Sequence, residues 1–165
     1  MVPFLALSLG LAIAVVTDVR SRRIPNWLTG AIAGAGFGLA FGGGGVTPAQ
    51  AALGLAAGLA LMLPGHVIGA TGAGDVKLMA AVGVFLGPGL VFRAFLYSAV
   101  AGGALALAVA ARRGLLADTL LGTSRLVTAP AATRDAIVAP GRGNRFPYGP
   151  AIAAGTLITL LVQPW

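Results

Sequence analysis

Apolar runs separated by short polar or glycine-rich breaks fill most of this chain. They predict six helical spans, at 2–17, 27–41, 49–63, 75–86, 89–111 and 146–162. A hydrocarbon core of about 30 Å takes about 20 helical residues, so several of these runs are short. The fourth is the shortest, with 12 residues before Gly87-Pro88-Gly89. The stretch 65–74 ahead of it follows Pro64 and carries Gly65, Gly69, Gly72 and Gly74, so a regular lipid-facing helix is excluded there. Irregular backbone at membrane depth is tolerated only when buried in protein or lining a wet cavity. The pattern therefore predicts that Asp75 opens a short or broken fourth helix from inside such a cavity.

Composition supports the same class. Of 165 residues, 58% are hydrophobic and 9% charged, and the mean hydropathy is +0.94. A soluble domain carries about 25% charged residues. This chain has too few to cover a water-facing surface, so it reads as an all-α, polytopic membrane protein forming one domain over 1–165. Two glycine series at four-residue spacing, Gly30, Gly34, Gly38 and then Gly54, Gly58, predict smooth faces for close helix packing. Gly42-Gly43-Gly44-Gly45 lacks a following Lys-Ser or Lys-Thr and is an outer loop, not a phosphate-binding loop. The first run is no signal peptide by pattern, because Met1-Val2-Pro3 carries no Lys or Arg ahead of it.

The net charge of +7 does not point to nucleic acid, because its placement follows membrane topology. Arg20, Arg22 and Arg23 lie between the first two spans, and Lys77 follows the third connection. Arg112, Arg113, Arg125, Arg134, Arg142 and Arg145 lie between the fifth and sixth. Only Arg93 falls on the other side. This positive-inside bias predicts a multi-pass protein of the cytoplasmic (inner) membrane with both termini outside. The basic loops would meet anionic lipid of the bilayer. The long connection, about 112–145, is then cytoplasmic, and its start is amphipathic: Leu115, Leu116, Leu120 and Leu121 oppose Asp118, Thr119 and Arg125, as in an interfacial helix.

Candidate chemistry rests on acidic residues, of which there are only four, all aspartates. Asp118 and Asp135 read as solvated loop charges. His66 has no second His or Glu nearby, so it reads as structural or lining, and with no cysteine in the chain no metal site is expected. No cofactor is expected either. Asp18 and Asp75 differ: each sits where an apolar run meets a polar motif, and a carboxylate kept at membrane depth is a functional candidate. The first motif reads Asp18-Val19-Arg20-Ser21-Arg22-Arg23-Ile24-Pro25-Asn26-Trp27, the second Gly72-Ala73-Gly74-Asp75-Val76-Lys77-Leu78. Asp18 ends an inward run and Asp75 begins an outward one, so both land on the cytoplasmic side. Two close carboxylates share a proton and titrate as a pair. One then takes a proton from water while the other polarises a scissile carbonyl, as in an aspartic protease. Gly72 and Gly74 would allow unusual dihedrals and close approach. Pro25 would set a tight entry to the second span, and Asn26 would cap it. The helix macrodipole would favour an anion at Asp75, opening a helix, over Asp18, ending one.

With these motifs the chain resembles the type IV prepilin peptidase family, membrane aspartic proteases of the Gly-x-Gly-Asp kind. The resemblance rests on Asp18 with Ile24-Pro25-Asn26, on Gly72-x-Gly74-Asp75 with Lys77-Leu78, and on Phe146-Pro147-Tyr148-Gly149-Pro150. It implies that Asp18 and Asp75 are the catalytic pair and that the substrate is a prepilin or pilin-like precursor. Its short basic leader would be removed at the cytoplasmic face, and Lys77 could pair with an acidic residue of the substrate helix. Longer members carry paired Cys-x-x-Cys motifs and also N-methylate. This cysteine-free chain looks like the short, peptidase-only form, without methyltransferase activity. Homo-oligomerisation is left open. Two rival readings are a small transporter using the same aspartates as proton or cation sites, and a catalytically dead assembly factor. The first predicts inverted repeats, of which none is evident. The second leaves two costly carboxylates without a use.

Overall fold

The computed structural model describes residues 2–112 and 148–162, and every regular element among them is a helix. These are α1 (Val2–Ser21), α2 (Asn26–Phe41), α3 (Pro48–Val67), α4 (Ala73–Arg112) and α5 (Gly149–Val162). Among the described residues, α1, α3 and most of α4 are long and apolar enough to cross a membrane, while α5 is a shorter apolar helix. This is a membrane protein. Six separate spans are not confirmed: the expected fourth and fifth runs follow one another as two helical stretches of Ala73–Arg112 that meet at a kink. Gly87 (φ 71, ψ 175) makes the break, and Pro88 follows without an N–H. The backbone at Gly87 lies in the left-handed region that a residue without Cβ enters readily, and the Gly87-Pro88-Gly89 boundary seen in sequence is that kink. The interfacial stretch, Asp118, Asp135 and the basic residues between 113 and 145 lie outside the described residues.

Local chemistry sets the remaining ends. Thr47 and Gln50 form a reciprocal capping box at the start of α3, with Pro48 in its first turn. This satisfies two otherwise orphaned N–H groups. α3 then runs through Pro64 as far as Val67, beyond its expected end at 63. Arg22, at φ 52, turns the chain out of α1 while its N–H donates to the Asp18 carbonyl at 2.7 Å. Pro25 (φ −63, ψ 141) takes the N-cap position of α2 and offers no side-chain cap. Asn26 is therefore not the cap that the sequence suggested. It is already the first helical residue, and its carboxamide is used elsewhere.

The first half of α4 is the centre of the molecule. From Val76 to Leu86 every residue but Lys77 is buried, and Leu78, Met79, Val82 and Phe85 join Leu7, Leu11, Leu28, Ile32 and Ile152 in the main core. A helix apolar on all faces belongs in such a place. Being enclosed by protein, it has no need of the length that a lipid-facing span requires. α1 is peripheral by contrast and leaves Leu5, Leu9, Ile13 and Val16 exposed.

The two glycine series part ways. In α3, a side chain at Gly54 would overlap the Gly83 carbonyl of α4, and one at Gly58 would sit 2.5 Å from the Met79 carbonyl oxygen. The backbones of α3 and α4 touch there, as small residues permit. In α2, a Cβ at Gly30, Gly34 or Gly38 would meet nothing within 4 Å. That face is open, and the packing glycine of α2 is Gly36, against Val84 and Phe85.

Candidate active site

Four helix ends converge at one end of the bundle. α1 delivers Asp18 in its last turn, and the connection behind it lays Ile24 against Gly74, where a Cβ would lie 3.2 Å from the Ile24 Cβ. α2 begins there with Asn26, whose Oδ1 accepts a 2.8 Å hydrogen bond from Lys77 Nζ in the first turn of α4. α5 begins there with Gly149, whose N–H donates to Asp18 Oδ2 at 2.8 Å. The opposite end gathers Pro3 beside Gly45, and Gly87 beside Val46 and Gln50. Both motifs thus occupy the same end, as topology predicted.

Asp18 and Asp75 are brought within electrostatic reach of one another. Asp18 is 5% exposed, and Asp75 is half-buried in the first turn of α4. Each accepts one backbone N–H on Oδ2: Asp18 from Gly149, and Asp75 from Gly72 at 3.1 Å. The second is a capping contact within the Gly72-x-Gly74-Asp75 motif. The first places Asp18 at the N-terminus of α5, although it ends α1. Both carboxylates therefore face a helix N-terminus, which partly offsets the helix-end asymmetry used to rank them from sequence, since Asp18 also lies in the last turn of α1.

Gly72 and Gly74 do not adopt positive φ; among the described glycines only Gly43, Gly45, Gly69 and Gly87 do. Their lack of a side chain serves close approach instead, Gly72 to Asp75 Oδ2 at 3.0 Å from where a Cβ would be, and Gly74 to Ile24. Pro25 and Asn26 mark where α2 starts, and Lys77 ties α4 to it. His66, exposed at the end of α3, contacts the Thr71 carbonyl through Nδ1 at 3.1 Å. It braces the loop that leads to Gly72, a structural role. Among the described residues no cluster of three metal-ligating side chains exists.

The sequence reading missed the partners of Asp18. Tyr148, half-buried, donates its hydroxyl to the Ser98 carbonyl at 3.2 Å. Two grooves flank the carboxylates, and neither aspartate lines either one. One of about 430 Å³ runs between α4 and α5, lined by Ala101, Ala104, Leu105, Ala108 and Pro150. The other, of about 370 Å³, lies between α2, α3 and α4, with Asn26 and Lys77 at its mouth.

Chemically, two carboxyl groups within electrostatic reach, each accepting one backbone N–H from a described residue, can share a proton. The model of the type IV leader peptidase family matches residues 5–107, which include Asp18 and the Gly72–Asp75 motif. No curated protein and no solved structure matches the chain. The match covers well over half of the sequence. It supports the peptidase reading and gives none to the transporter.

The chain belongs to the type IV leader peptidase family, and it is a peptidase of the membrane.

Proposed function

From that membership, we propose that the chain is an aspartic endopeptidase that removes the short basic leader of prepilin-like precursors. It would act at the cytoplasmic face of the inner membrane, within a multi-pass frame whose termini lie outside. The observation that carries the reading is the convergence of Asp18 and Asp75, far apart in sequence, at one end of the bundle among the ends of α1, α4 and α5. One carboxylate takes a proton from water, and the resulting hydroxide attacks the scissile carbonyl carbon. The other, protonated, hydrogen-bonds the carbonyl oxygen as it gains charge. Collapse of the tetrahedral adduct breaks the C–N bond, and the leaving amine takes a proton from the dyad. Nothing in this cycle calls on a metal or cofactor. Lys77, at the groove mouth beside α4, supplies a cation to a substrate carboxylate.

The test is co-expression of a prepilin with the wild type, Asp18→Asn or Asp75→Asn, read by gel shift and by mass of the new N-terminus. Cleavage by wild type alone, at equal membrane levels of all three, is expected. Cleavage by either variant would end the two-aspartate mechanism.

A further inference from the structure

We propose that Tyr148 is a positioning residue: seated in the notch at Gly102 and bonded to Ser98, it sets the register of α5 that presents the Gly149 N–H to Asp18. The inference rests on the peptidase reading above and assigns a role to a segment outside the matched region, 5–107.

The contact between Gly149 and Asp18 joins residues 131 apart in sequence, so no local motif holds it. It exists only if α5 sits at the correct height along α4. A slip of one residue moves a helix by about 1.5 Å, enough to break a 2.8 Å hydrogen bond. Three contacts fix that height. A side chain at Gly155 would overlap the Ser98 backbone and hydroxyl, so α5 meets α4 at van der Waals distance there. A side chain at Gly102 would overlap the Tyr148 ring, so the ring fills the space that glycine leaves. The Tyr148 hydroxyl then reaches the Ser98 carbonyl. That carbonyl lies one turn before Gly102, and a helical side chain at that position would lean back over it. Its second lone pair is open to Tyr148 because Gly102 has nothing to cover it.

A plain packing role for Tyr148 makes a different forecast: its loss would lower stability while the turnover of folded enzyme stayed unchanged. Register control forecasts a fall in kcat with KM nearly constant, because Asp18 is displaced while the groove of Asn26 and Lys77, to which α5 contributes no residue, remains. The full-length protein in detergent, as wild type, Tyr148→Phe, Gly102→Ala and the double variant, is assayed for leader cleavage. Amide hydrogen exchange at Gly149 is followed in the same samples. Gly102→Ala is expected to lower kcat by up to about 10²-fold, since misplacing a catalytic group by about 1 Å has that effect. Tyr148→Phe, which loses one hydrogen bond, is expected to lower kcat and speed Gly149 exchange by about tenfold. The double variant is expected to match Gly102→Ala, because both changes act on one contact. Unchanged kcat and unchanged exchange in Gly102→Ala would overturn the proposal, as would faster exchange with kcat intact. Should the wild type cleave no leader, the peptidase reading fails on its own. Gly149 exchange then still decides the register, an unaltered rate in Gly102→Ala overturning it and a faster one upholding it.

Discussion

Asp18 and Asp75 present the same oxygen to the same kind of donor, yet they are held in opposite ways. Asp75 takes its N–H from Gly72, three residues back in its own motif. Asp18 takes its N–H from Gly149, at the head of the last helix. One half of the site is a local turn that any correct folding of 72–75 would reproduce. The other half depends on how α5 docks on α1 and α4, which pack against it along their lengths. The Asp18 half should therefore be the more fragile, and substitutions can test that.

Among the glycine substitutions beside the two carboxylates, Gly149→Ala should have the largest effect on activity. Its Cβ would lie 2.8 Å from Asp18 Oδ2 and 3.1 Å from the Asp18 Cβ, and a short, buried side chain has little room to yield. A kcat loss of about 10²-fold is expected, again from displacement of one group, with leader binding retained. Gly54→Ala strikes the scaffold of the Asp75 half, where the new methyl would overlap the Gly83 carbonyl. A stability loss of about 1–3 kcal/mol is expected, read as a lower melting temperature in detergent. Gly72→Ala is the mildest. Its Cβ would be 3.0 Å from Asp75 Oδ2, its φ is not positive, and the end of the carboxylate can rotate. About a tenfold drop in kcat or less is expected, since the N–H bond worth ~1 kcal/mol survives. An effect of Gly72→Ala larger than that of Gly149→Ala would reverse the comparison.

The same contrast marks what sequence alone could reveal. Class and element type were readable because apolar runs and helix punctuation are local signals: the break at Gly87 and the Gly72–Asp75 motif both act within four residues. The common end of the two aspartates was readable from topology. The donor to Asp18 was not, because nothing near Gly149 encodes its distance to α1. The glycine series show the same limit. Spacing identified Gly54 and Gly58 as packing residues, but it equally identified Gly30, Gly34 and Gly38, whose face meets nothing. Periodicity reports a smooth face and not its occupant. Asn26 fits every local rule for a cap, yet Pro25 holds that place while Lys77 claims the Asn26 carboxamide.

The most direct test of the paired aspartates compares single-turnover cleavage of one prepilin by purified Asp18→Asn, Asp75→Asn and the double variant. Each single change should remove about 10²–10⁴-fold, the range for an acid or base partner. The double variant should lose no more than the worse single, because residues acting as one unit are not additive. Losses that multiply in the double variant, or a single variant that still cuts at the wild-type rate, would show that Asp18 and Asp75 do not work as a pair.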